Sequence, residues 1–129
     1  MREEIAAQHR RLDPLFEAVR DAFERAAVEA DRALADLAEA LAAHFEQEDR
    51  LYYPTIGSLR PEHRGRVDRF AIDHRRFLAQ LDGVAERVQR RALEEASREF
   101  EAFAHDFAGH EAGEEALLHA LQAELDAAP

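Results

Sequence analysis

The residues of this sequence that are best suited to chemistry are its histidines. The chain of 129 residues contains seven histidines and no cysteine, which excludes disulfides, thiolate metal sites and cysteine nucleophiles. It also contains no lysine, so Schiff-base chemistry is excluded. Metal binding through nitrogen and oxygen atoms remains open to such a chain.

Four of the seven histidines fall within apolar stripes. Residues three, four or seven positions apart share one face of an α-helix. Each of the four follows a large apolar residue by three or four positions: His9 follows Ile5, His44 follows Leu41, His74 follows Phe70, and His110 follows Phe107. We therefore predict that four helices each direct one histidine into a common core.

Two of these stripes also carry a glutamate one helical turn later. Glu48 follows His44, and Glu114 follows His110, each at a spacing of four residues. Buried carboxylates and histidines without partners cost several kcal/mol each, and a metal centre would compensate for all six groups. A metal-free bundle with hydrogen-bonded histidines is the alternative.

The remaining candidates fall outside these stripes. We expect the side chains of the other histidines and of two glutamates to lie at the surface: His63, His105, His119, Glu95 and Glu115. Tyr52 is expected to pack near the site.

The composition and periodicity predict an all-α protein. Gly and Pro together number only nine, and strong helix formers dominate. We predict one domain, residues 1–129, folded as an antiparallel up-down-up-down four-helix bundle. The predicted helices run from about Glu3 to Val28, Arg32 to Tyr52, Pro61 to Val88 and Leu93 to Leu125, with Asp31 as a cap and residues 53–60 as a loop. Counted from the two predicted turns, the four histidines reach one level of the bundle.

Charge and hydropathy restrict the partners and the location. The net charge of −11 argues against a nucleic-acid partner, because phosphate binding needs clustered positive charge. No apolar stretch is long enough to span a membrane, and the N-terminus lacks a signal-peptide pattern. We therefore expect a cytoplasmic protein with no membrane partner.

Six nitrogen and oxygen ligands are too many for one zinc ion and favour a two-metal centre. Taken with Leu51-Tyr52-Tyr53-Pro54 and Asp73, the six residues give the chain a pattern that resembles the hemerythrin-like, or HHE, family. The resemblance implies an antiparallel four-helix bundle with two iron ions bridged by two carboxylates and an oxo or hydroxo group. Manganese or zinc are alternative metals. By position, His9, His44, His74 and His110 would be terminal ligands, and Glu48 and Glu114 would be bridges.

The pattern departs from that of the oxygen carriers of this family at Leu78, where the carriers have a fifth histidine. The carriers also place their last carboxylate five residues after histidine, whereas Glu114 follows His110 by four. The resemblance is therefore to the bacterial branches, and ligand counting leaves one open position at each iron. We expect the centre to bind or reductively turn over O2, peroxide or nitric oxide, which requires an external electron donor. Reversible O2 or NO binding or sensing, and iron storage or donation, remain alternatives. The sequence does not decide whether the protein is an enzyme, and the oligomeric state stays open.

Overall fold

The computed structural model describes residues 1–127, which form helices joined by tight turns and contain no strand. Residues 128 and 129, which complete the predicted domain, lie outside the described residues. Four long helices make the bundle: α1 (Arg2–Phe23), α2 (Ala27–Gln47), α4 (Arg64–Gln89) and α5 (Leu93–Ala127). Between α2 and α4 lie a π-helix (Glu48–Tyr52), the short helix α3 (Tyr53–Leu59) and a 3₁₀ turn (Pro61–His63).

Each long helix packs against two others. Helix α1 contacts α2 and α5, and α4 also contacts α2 and α5, so the predicted four-helix bundle is confirmed. One large apolar cluster fills most of the bundle, with the rings of Phe16, Phe100, Phe103 and Phe107 at its centre. Among residues 1–127, no helix is both long and apolar enough to cross a membrane.

The first turn differs from the predicted one. Helix α1 ends at Phe23 and not at Val28, and α2 begins at Ala27 and not at Arg32. The residue before α2 is Ala26 in extended conformation, with φ −160° and ψ 152°, so the prediction that Asp31 caps this helix is wrong. The alanine-rich sequence on both sides has no glycine, proline or capping side chain to mark the turn.

The predicted loop over residues 53–60 is mostly helical. Proline is accepted in the first turn of a helix because that turn has no hydrogen-bond partner for its N–H groups, and Pro54 occupies this place in α3. The helical conformation breaks at Arg60, which has φ −142° and ψ 88°. Arg60 is extended because the ring of the following Pro61 disfavours a helical conformation in the residue before it. Helical structure then resumes at Pro61, as predicted.

The turn between α4 and α5 depends on a residue in the left-handed region. Arg91 has φ 65°, and the N–H of Ala92 donates to the carbonyl of Arg87 at 2.9 Å. This arrangement closes a helix C-terminus as a glycine ordinarily does. Helix α5 then begins at Leu93, as predicted.

Candidate metal centre

The six residues singled out by the helical pattern lie together inside the bundle. All six side chains are buried, with exposed fractions between 0% and 6%: His9, His44, Glu48, His74, His110 and Glu114. Helices α1, α2, α4 and α5 each supply one histidine, and the prediction that these four reach one level is confirmed. Glu48 is the first residue of the π-helix, one turn after His44.

The donor atoms form two groups of four that share both glutamates. Within each group the atoms lie within 4.8 Å of one another. The first group is His9, His44, Glu48 and Glu114, and the second is His74, His110, Glu48 and Glu114. Each glutamate also contacts one histidine from each group, which is the arrangement that two bridging carboxylates need.

The contact distances give this arrangement in detail. Oε1 of Glu48 lies 3.2 Å from Nε2 of His44 and 3.2 Å from Nε2 of His74. Oε1 of Glu114 lies 3.2 Å from Nε2 of His9 and 3.4 Å from Nε2 of His110. These distances place ring nitrogens and carboxylate oxygens face to face.

Several of these buried atoms have no hydrogen-bond partner. They are Nε2 of His9, His44 and His110, both oxygens of Glu48, and Oε1 of Glu114. Leaving a buried polar atom unsatisfied costs about 1–3 kcal/mol, and six of them in one place would be a severe penalty. Because all six are nitrogen or oxygen lone pairs directed to one place, they fit metal cations.

The outer ring nitrogens of the histidines are held by acceptors. Nδ1 of His9 donates to Glu115 at 3.1 Å, and Nδ1 of His74 donates to Asp49 at 3.0 Å. Nδ1 of His110 donates to Asp73 at 3.2 Å, and Nδ1 of His44 donates to Gln8 at 2.6 Å. A proton on Nδ1 leaves Nε2 free as a ligand atom, which is the usual arrangement around protein-bound metals. Glu115 is half exposed, in agreement with its predicted place at the surface, but its carboxylate also contacts His9.

Electrostatics in the pocket also favours a cation. Burial and the negative Glu114 raise the pKa of Glu48 to about 12, so this carboxyl holds a proton when no cation is present. Burial and the neighbouring histidines lower the pKa of His44 to about 4, although Glu114 opposes the shift. A neutral histidine is the form that binds metal. Burial lowers the pKa of His9, but its carboxylate neighbours, Glu114 above all, outweigh burial and raise it.

Tyr53 is a further residue of the site that the helical pattern did not predict. Its hydroxyl donates to Oε2 of Glu114 at 2.5 Å and lies 3.0 Å from Nε2 of His74. Tyr52, which was expected near the site, directs its hydroxyl to Glu4 at 2.9 Å. Both tyrosines are buried, and they lie where the π-helix ends and α3 begins; π-bulges are frequent at functional sites. The paired tyrosines before Pro54 are the only hint in the sequence.

Aromatic rings form the wall of the pocket. The ring of Phe45 stacks on that of His74, with centroids 4.0 Å apart and planes 9° apart, and Phe77 meets His110 edge-on at 5.1 Å. Leu78 is half buried and lines an open groove of about 460 Å³ beside His74, between α2 and α4. His74 itself belongs to the lining of this groove, at one edge of the candidate site.

The other three histidines lie away from the six buried residues. His105 and His119 are exposed, as predicted. His63 is more buried than predicted, with a side chain that is 14% exposed, and its Nε2 lies 3.2 Å from Glu124. It forms a smaller group with Glu62 and Glu124, in which Glu124 is already paired with Arg60.

Of the comparisons with known proteins, the one with family models agrees with this geometry. Searches of curated proteins and of solved structures returned no match to the chain. The family model described as the hemerythrin HHE cation-binding domain matches residues 1–121. Since this match spans nearly the whole sequence and includes all six buried histidine and glutamate residues, the chain belongs to the hemerythrin HHE cation-binding family.

Proposed function

We propose that this protein holds two iron ions in the bundle and binds or reductively turns over O2, peroxide or nitric oxide there. In this proposal His9, His44, His74 and His110 would be terminal ligands. Glu48 and Glu114, which belong to both donor groups, would be held in common by the two ions. When bound, the ions supply redox chemistry and positions at which a small molecule can bind.

The observation that carries the proposal is the pair of donor groups. Each group has two histidine nitrogens and the same two carboxylates, and six of the buried atoms involved have no other partner. A single ion would leave one histidine pair unused, so two ions account for the whole set. Nitrogen and oxygen donors without sulfur suit iron, with manganese and zinc as competitors.

The chain's own residues would orient and isolate the bound ions. The acceptors on the outer ring nitrogens hold the histidine rings in orientation. The rings of Phe45 and Phe77 exclude water from two sides. The groove past Leu78 would be the approach of a small molecule to the edge of the site, because His74 is part of its lining.

Metal content tests this proposal most directly. The protein is reconstituted with ferrous iron without oxygen, exposed to air, desalted and analysed for iron per chain and for near-ultraviolet absorption. We expect two iron ions per chain and ferric charge-transfer bands. Glu48→Ala and Glu114→Ala should lose metal, whereas the matched controls His105→Ala and His119→Ala, at exposed positions, should keep it. Fewer than one ion per chain after reconstitution would refute the proposal.

Leu78 allows turnover to be distinguished from reversible binding. It lies four residues after His74 and beside it in the groove, at the position where the oxygen carriers of this family have a histidine. Leu78→His should therefore supply another ligand, and we expect the reduced protein to be oxidised by air more slowly. Leu78→Met is the control that keeps an apolar side chain of similar size. Equal oxidation rates in the parent and in Leu78→His would mean that an open position at Leu78 does not favour turnover.

A further inference from the structure

His44 differs from the other three histidines of the site in the group that holds it. The outer ring nitrogens of the other three each lie within 3.2 Å of a carboxylate oxygen. Nδ1 of His44 lies 2.6 Å from the amide oxygen of Gln8 instead. Three histidines thus have a charged partner, and one has a neutral partner.

The orientation of the Gln8 amide follows from a chain of hydrogen bonds. Tyr52 donates to the exposed carboxylate of Glu4 at 2.9 Å, and an ionised carboxylate can only accept. The Tyr52 oxygen then accepts from Nε2 of Gln47 at 3.3 Å, and Oε1 of Gln47 accepts from Nε2 of Gln8 at 2.8 Å. Gln8 is left with only its oxygen to offer His44. The proton of neutral His44 must therefore be on Nδ1.

This chain connects the surface to a buried ligand atom. With its proton on Nδ1, His44 directs an unprotonated Nε2 toward Glu48, 3.2 Å away, and that nitrogen has no hydrogen-bond partner. A carboxylate that accepts from the outer N–H raises the basicity of an imidazole and makes it a stronger metal ligand. A neutral amide oxygen in the same place raises that basicity less. His44 is accordingly the weakest donor of the four histidines.

We propose that Gln8 is a positioning residue that fixes the tautomer of His44, and that the ion position served by His9 and His44 is the weaker of the two. The second part rests on the proposed function, whereas the first does not. Both ion positions share Glu48 and Glu114, so the histidines make the difference between them. Glu111 also approaches Nδ1 of His9, at 3.4 Å, but the single N–H there is already donated to Glu115.

The tautomer is tested on the metal-free protein by ¹⁵N NMR of the histidine rings at neutral pH. We expect His44 to carry its proton on Nδ1 in the parent and in Gln8→Glu, whose side chain keeps an acceptor oxygen of the same reach. Gln8→Ala removes the acceptor and should give a mixture of tautomers. The exposed Gln122, which pairs with Asp126, provides the control Gln122→Ala. A proton on Nε2 in the parent, or an unchanged spectrum in Gln8→Ala, would overturn the role of Gln8.

The inequivalence of the two positions is tested by calorimetric titration with Zn²⁺, followed by anaerobic titration with Fe²⁺. We expect two binding steps in the parent. Gln8→Ala should weaken the second step by about 10- to 100-fold and leave the first unchanged, whereas Gln8→Glu should restore or strengthen it. Equal weakening of both steps, or failure of Gln8→Glu to restore the second, would overturn the proposal. If the parent binds neither metal, the proposed function fails, and the NMR result still decides the tautomer.

Discussion

Glu48 is the residue at which function and stability oppose each other most clearly. Its side chain is fully buried, its carboxylate oxygens have no hydrogen-bond partner, and its pKa is raised by burial and by Glu114. Such a group is useful only when a cation faces it. The metal-free fold therefore bears a penalty that the bound ions would remove.

Glu48→Gln should stabilise the metal-free protein and weaken metal binding. The folded-state pKa of Glu48, about 12, lies above its ordinary value of 4.5, so the folded protein binds the proton more tightly than the unfolded chain. The contribution of Glu48 to the stability of the metal-free parent is thus fully present below pH 4.5 and is lost as pH rises toward the folded-state pKa, by up to about 1.4 kcal/mol per pH unit. The variant should lose this dependence, be more stable without metal at pH 7.5, and bind less iron.

Urea unfolding of the metal-free parent and of Glu48→Gln at several pH values checks this expectation. His44, whose pKa is lowered, gives the opposite slope between about pH 4 and 6.5 in both proteins, so the difference between the two curves isolates Glu48. A parent that is as stable as the variant at every pH would contradict it.

Tyr53→Phe tests the second residue that completes the centre. The change removes the hydroxyl that donates to Glu114 at 2.5 Å and lies beside His74, while the six ligand residues stay in place. We expect iron binding about tenfold weaker or more, and a metal-free protein less stable by about 1–3 kcal/mol because a buried carboxylate oxygen loses its donor. Competition with a chelator of known affinity measures the first effect. An unchanged iron affinity would show that Tyr53 only packs.

At the level of the elements, regular helices were predictable and departures from regularity were not. The helical period placed His9, His44, His74 and His110 in the core because it holds along each long helix. Tyr53 was missed because it falls outside the four-residue spacing that links His44, Glu48 and Tyr52. Gln8 and Asp49 were missed because their role depends on which helices are neighbours, and the spacing within one helix does not contain that information.

The turn before α5 carries a prediction of its own. Arg91 has φ 65°, a conformation that costs a non-glycine residue about 1–2 kcal/mol. Arg91→Gly should therefore raise the free energy of unfolding by about 0.5–1 kcal/mol, after the greater backbone freedom of glycine in the unfolded chain is subtracted. Urea unfolding measures the change. Arg90→Gly, at φ −83°, is the control and should not stabilise the protein.

For the whole molecule, bound ions should stabilise the bundle by linking its helices. The six candidate ligands come from all four long helices and the π-helix, and the free energy of metal binding would add to that of folding. We expect iron removal to lower the thermal midpoint by at least ten degrees, and readdition of iron to restore it. Calorimetry of the two forms checks this, with Glu114→Ala as a control on which added iron should have no effect. A parent with the same midpoint in both forms would contradict the prediction.

The position of Glu114 has a consequence for how the protein is made. This residue belongs to both donor groups, and its helix α5 is the last of the five to leave the ribosome. The contact between His9 and Glu115 joins positions 106 residues apart, so it closes late and slowly during folding. A nascent chain that lacks α5 holds neither complete set of donors. Assembly of either complete group of donors is therefore coupled to completion of the fold.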